Sequence, residues 1–423
     1  MKARTYLFLG AALGILALCG STFAMELPVP GRYPAIQAAI DAALDGDVVI
    51  VADGIYTGAG NKNIDFAGRA ITVRSENGPG STIIDCENDG RGFCFHSGED
   101  QNTILAGFTI INGYATSGTA ESRYGGGFLC IASSPTIINC IIEKNRAYGG
   151  GGMCNSKSSA PRVINCVFME NFADEGTGDG DGGGMLNSAS SPKVVNCLFI
   201  RNIGGTGSPK FGSGGAIRNG DDASPIIANC TFTGNKSCYG GAICNSPGGQ
   251  PSYVNCIFWA NQGRSYWGHE IHNAANAIVT FIHCDIAGGW NGPNVVNRAG
   301  AKVIDGGGNI NADPLFVDAT NPDLYERDYH LSANSPCIDA GIDVGIYADI
   351  EGNERPIDFP DVDNNAVLPE FDIGAYEAVP STQQSTKENH RRVGRFAGPA
   401  WLRGAATEVV RAEQMVLHRK PAA

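Results

Sequence analysis

The stretch GGGGMCNSKSSAPRVINCVFMENFA, residues 149–173, decides the fold. Its apolar runs GMCN, PRVIN and CVFMEN are broken by Gly, Ser, Pro or Asn before any reaches helical length. The stretch also recurs. An Asn-Cys pair stands at Asn139-Cys140, Asn165-Cys166, Asn196-Cys197, Asn229-Cys230 and Asn255-Cys256, with His283-Cys284 as a degraded sixth copy. The cysteines are 26, 31, 33, 26 and 28 residues apart. Five residues after each of the first five comes another asparagine: Asn145, Asn171, Asn202, Asn235 and Asn261. Glycine-led strands GGGFLC, GGGMCN, GGGMLN, GGAIRN, GGAICN and GHEIHN precede the pairs. A period of this size marks a stacked repeat. A unit of three short strands cannot bury its apolar face alone, so each strand pairs with its equivalent one turn on, about 4.8 Å away. The chain is therefore read as all-β, a single-stranded parallel β-helix: a solenoid with three strands per coil, over residues 48–312.

These repeats resemble those of the right-handed parallel β-helices of the pectin-lyase-like superfamily, over roughly residues 30–300. The resemblance implies a right-handed coil and says little about a reaction. Within CVFMEN, alternation puts Cys166 and Phe168 on one face, so Phe168, Phe199, Phe232 and Phe258 should form an aromatic column inside the coil. Corner asparagines should pass amide hydrogen bonds along the axis. Coil-to-coil differences in length fall in insertions such as DEGTGDGDG (174–182) and GGTGSPKFGS (204–213), both ahead of a glycine-led strand.

Around the repeats the chain divides further. Residues 1–24, MKARTYLFLGAALGILALCGSTFA, carry Lys2 and Arg4, an apolar run and small residues near Ala24. They read as a secretory signal of bacterial type, a lipoprotein signal at Cys19 being the alternative, with Leu18 against it. No later segment is long enough to span a bilayer. Residues 25–47 include the helix-periodic Ile36, Ala39, Ile40, Ala43 and Leu44, a short capping helix for the open first coil. This cap is similar to that of many right-handed β-helix proteins, the pectin esterase family among them. Residues 313–379 contain YHLSANSPCIDAG, GNERP and DIGAYE, which look like the closing segment of bacterial surface β-helix proteins. Residues 380–423 are polar, then basic, and read as a largely disordered tail.

The net charge of −13 is concentrated after the repeats, with three basic and seventeen acidic residues in 301–380. With no basic stripe along the body, no nucleic-acid partner is expected. Thirteen cysteines remain without Cys19; their regular stacking suits buried thiols better than disulfides, whose torsion parallel inward side chains do not readily give.

Enzymes of the resembled superfamily generally place their sites in an exterior groove. In the glycine-led strands Met153, Met185, Ile217, Ile243 and Ile271 should face inward, which turns Arg218, Cys244 and His272 outward, with Glu270 on their face. Tyr124, Tyr148, Phe211, Tyr239 and Trp267 form an aromatic row just before those strands. Aromatic rings could stack on sugars while Arg218, Glu270 and His272 supply polar groups; the alternative is turn-against-turn packing. GHEIHN is no zinc motif, because His269 and His272 are three apart on a strand. No cofactor is expected, save calcium at Asp358, Asp361 and Asp363 in DFPDVDNN, against a solvated acidic loop. The expected function is an exported or cell-surface protein, non-catalytic, that binds glycan or another extracellular partner along its solenoid face. A polysaccharide lyase or glycoside hydrolase is the alternative.

Overall fold

The computed structural model describes residues 24–115, 121–173, 180–205, 212–220, 222–357 and 371–378. The expected signal and tail, Phe211, the calcium-type aspartates and most of both insertions lie outside the described residues. Three parallel sheets run the length of the solenoid. The first has eleven strands, from Glu26–Val29 to Lys302–Asp305; the second has nine, from Gly54–Tyr56 to Asp285–Ile286; the third has nine, from Ile64–Asp65 to Val295–Asn297. Each coil contributes one strand to each sheet, as Arg162–Ile164, Val167–Met169 and Met185–Ser188 do in turn. Pairing is in register throughout, for example Met153↔Met185↔Ile217↔Ile243↔Ile271. This is the parallel β-helix that the repeat predicts.

The interior is a set of columns. Phe168, Phe199, Phe232 and Phe258 stack with ring centroids 4.7, 4.9 and 4.8 Å apart, all fully buried. Beside them run Cys140, Cys166, Cys197, Cys230, Cys256 and Cys284, each buried. Along this column Cys140 N–H donates to Cys166 Sγ, Cys166 N–H to Cys197 Sγ and Cys197 N–H to Cys230 Sγ at 3.3–3.5 Å. All thirteen cysteines among the described residues are free thiols.

Asparagine forms three ladders. The residues preceding the column cysteines adopt the left-handed conformation, Asn139 to Asn255 at φ 49–55° and His283 at 47°, which asparagine tolerates and which turns the first sheet into the second. At the corner after the second sheet, Asn145, Asn171, Asn202, Asn235 and Asn261 each offer Oδ1 to the preceding rung and donate Nδ2 onward. A third ladder, Asn155, Asn187, Asn219, Asn245, Asn273 and Asn297, lies at the end of the third-sheet strands.

The described residues hold one α-helix, Ile36–Ala42, whose Ile36, Ala39 and Ile40 seal the first coils as expected. The segment after the repeats does not lie across the far end of the stack. It folds back along the outer face of the second sheet, because that face is apolar too: Ile141, Val167, Met169, Leu198 and Ile200 pack against Tyr329, Ile350, Ala375 and Tyr376. A parallel sheet covered on both faces carries apolar side chains at both parities, as Val167, Phe168 and Met169 do. The buried pair Arg355–Glu377, 2.8 Å apart, fastens this clasp internally, and Arg355 also donates to the carbonyls of Asp372 and Gly374.

Candidate functional site

The third sheet carries an outward column whose register is Cys94, Leu129, Cys154, Leu186, Arg218, Cys244 and His272. The bridge position ahead of these strands is occupied in successive coils by Tyr124, Gly149, Asp181, Ser213 and Tyr239. Beside this row lies an open groove of about 550 Å³. Gly149 lets the Tyr124 ring and Leu186 close over its position, where a Cβ would lie 3.0 and 2.8 Å from them, and Leu129, Cys154 and Leu186 lie beneath the groove at 3, 2 and 8% exposure.

Tyr124 and Tyr148 stand at one end, edge to face with centroids 5.5 Å apart, and Arg123 lies 4.9 Å over the Tyr148 ring. Asp181 and Arg218 stand at the other end, with Nε 3.7 Å from Oδ2. Asp181 Oδ1 also accepts the Ser213 N–H at 3.0 Å, and Arg218 Nη1 donates to the Asn219 carbonyl at 3.0 Å. Lys157 is exposed at the rim. Burial pushes the Cys154 thiol up to about 12, so the floor is uncharged, and burial raises the Tyr124 hydroxyl as well.

The structure thus brings together Tyr124, Tyr148 and Arg218 of the expected residues. Tyr239, Trp267 and His272 form a separate cluster beyond Cys244. The Tyr239 and Trp267 rings meet at 4.6 Å and 61°, both contact the His272 ring at 5.3 and 5.9 Å, and the Arg298 guanidinium sits 4.0 Å over Trp267. His272 does point away from the interior, in register with Arg218, but these rings cover it to 5% exposure, and Cys244 to 3%. Burial, with Arg298 beside it, lowers His272 to about 4, so it is neutral at pH 7.

Glu270 does not share that face. The chain bends at His269 and Glu270, which breaks the alternation of the strand that follows, and the carboxylate enters the interior at 1% exposure. It stands where earlier coils have Gly152, Gly184, Ala216 and Ala242. A Cβ at Gly152 would already lie 2.9 Å from the Phe168 ring and 3.2 Å from Asn171. After Asn261 the corner ladder has no further asparagine, since Gly289 holds that register. Glu270 takes its place, accepting Asn261 N–H on Oε1 at 3.2 Å and Nδ2 on Oε2 at 2.6 Å. Burial raises its carboxyl to about 8.

Sequence reasoning missed Asp181, Leu129, Cys154 and Leu186. The outward three follow from the alternation that named Arg218; Asp181 is hidden in the acidic insertion 174–182. Among the described residues, no group of three or more His, Cys, Asp or Glu is placed to hold a metal ion.

No family model and no curated protein matches the chain. Among solved structures it is similar to pectate lyase Pel9A, at 16% identity and a TM-score of 0.49, over 84% of this chain and 96% of that one. It is also similar to the PL6 family alginate lyase AlyGC, at 16% identity and a TM-score of 0.36, over 66% of this chain and 40% of that one.

Proposed function

We propose that this β-helix is an exported, non-catalytic protein that binds a glycan lengthwise in the groove on its third sheet. The observation that carries the reading is the joint placement of the Tyr124–Tyr148 pair and the Asp181–Arg218 pair across an apolar floor. Sugar rings pair an apolar face with a hydroxylated edge, and a concave site with a few placed polar groups around an apolar bed suits both. The floor from Leu129 to Arg218 crosses three coil steps, about 14 Å, enough for a short run of rings parallel to the axis.

Support for the absence of hydrolysis comes from the carboxylates. Two-carboxylate glycosidases need a pair flanking the scissile bond. Among the described residues lining the groove, Asp181 is the one carboxylate, and Glu270 is inside the coil. Export rests on the signal-like residues 1–24; among the described residues no helix is long and apolar enough to cross a membrane.

The test is binding of the full chain to an oligosaccharide panel by calorimetry, together with an assay for product release. Tyr124→Ala with Tyr148→Ala should weaken binding at least tenfold, and no reducing ends or unsaturated product should appear. Cleavage that depends on Arg218 would overturn the non-catalytic reading. A panel with no binder would overturn the groove.

A further inference from the structure

The polar end of the groove also bears on which glycans fit. Arg218 is the guanidinium lining the groove, and it is not presented alone: Asp181 Oδ2 lies 3.7 Å from its Nε, while its Nη1 is engaged with the Asn219 carbonyl. Asp181 is itself held, since its other oxygen takes the Ser213 N–H, and that serine occupies the next bridge position along the same row. The pair is therefore built into the wall. Leu186 is the coil neighbour of Arg218 in the outward column, so an apolar surface lies one rung, about 4.8 Å, from the charged pair.

A ligand carboxylate approaching this guanidinium would meet the Asp181 carboxylate within a few ångströms, and like charges at that distance oppose each other, in part screened because the Asp181 side chain is 38% exposed. Neighbouring hydroxyls meet no such penalty. One can donate to Asp181 and the next accept from Arg218, and both hydrogen bonds are charge-assisted. The ring carrying them would face the narrow strip that Leu186 leaves open at 8% exposure, with Cys154 beneath it at 2%. Among the described residues, Lys157 is the other cation lining the groove and is exposed at the rim, where solvent and salt screen it, while Arg123 lies over the Tyr148 ring at the opposite end from Arg218.

Building on the glycan reading above, we infer that the groove selects a neutral hexose polymer, reading two adjacent hydroxyls with Asp181 and Arg218, and discriminates against uronate polymers. Asp181 is the residue that sets this preference.

The probes are oligomers of glucose, galactose and mannose, each paired with its C6-oxidised uronate counterpart, titrated into the full chain at low and physiological salt. A neutral oligomer should bind at least tenfold more tightly than its oxidised partner. Asp181→Asn, which keeps an acceptor for the Ser213 N–H, should weaken the neutral ligand at least tenfold and strengthen the uronate, reversing the order. Arg218→Gln should weaken the neutral ligand without making the oxidised one bind better. If Asp181→Asn fails to fold, the wild-type preference and Arg218→Gln decide between the outcomes. A wild-type preference for the uronate overturns this inference and leaves the groove reading in place. Binding of neither member of any pair overturns both.

Discussion

Glu270 ends the corner asparagine ladder inside the coil, and its protonation should be readable in the stability of the last coils. An unfolded chain would lose this proton near 4.5, whereas burial keeps it until about 8. Between those values the folded state binds one proton more, so stability falls as pH rises: the contribution is full below 4.5 and gone above 8. At 1.36 kcal/mol per pH unit the total decline is about 5 kcal/mol. Two donors from Asn261 favour the ionised form, but desolvation outweighs them. Glu270→Gln keeps a neutral side chain of the same shape and removes the slope. Asp285, raised to about 6 chiefly by burial, and His330, raised to about 10, add declines of their own in both proteins. The informative quantity is therefore the difference between wild type and variant, measured by denaturant melts from pH 5 to 8.5. Because solenoids can unfold in pieces, hydrogen exchange at the Asn261 amide gives the local counterpart. A difference that stays constant over that range would refute the buried, protonated assignment.

Three further outcomes follow from the packing. Phe232→Ala, between rings at 4.9 and 4.8 Å, should cost about 3–5 kcal/mol in a thermal or denaturant melt, and a loss below about 1 kcal/mol would place the ring outside the core. Arg355→Met leaves Glu377 buried without its cation and should cost about 3–5 kcal/mol, with early proteolysis of residues 313–378 before any coil is cut. Burial alone would lower His330, but the Asp328 and Glu351 carboxylates at 2.6 and 3.3 Å outweigh it; the stability this adds is full below 6.5 and lost as pH climbs through about 10, and His330→Gln should flatten that limb of the profile.

The β-helix was legible because its signal is repetition: the Asn-Cys pairs and the phenylalanine positions each recur in a register that leaves few alternatives. The inward and outward parity of the glycine-led strands was legible for the same reason, and it placed Arg218, Cys244 and His272 in one column. It failed at Glu270, because alternation holds only inside a strand and the residue sits on the bend before one. Solvent exposure was not legible either. His272 points outward, yet Tyr239 and Trp267 from the preceding turns close over it, and turn lengths vary from coil to coil. The third asparagine ladder was written in GMCN, GMLN and AIRN, but its role needs the knowledge that these strand ends turn inward. The apolar outer face of the second sheet also had a signal, in runs such as VFM and LFI whose side chains are apolar at both parities.

The clasp has a consequence for the length of the molecule. Stacked coils contact their neighbours alone, so a solenoid can in principle gain or lose a turn and keep every local interaction. Here one covalent segment touches many turns at fixed places: Tyr325 reaches Lys144, Ala348 O accepts from Asn196 Nδ2, Ala375 N–H donates to Thr231, Ile342 exchanges two hydrogen bonds with Asn255, and Cys337 Sγ donates to Asp285. Inserting one coil anywhere between Lys144 and Asp285 would displace part of that series by about 4.8 Å and leave its partners opposite the wrong rungs. The segment works as a ruler laid along the stack, and it makes the number of coils in this span a fixed property of the protein.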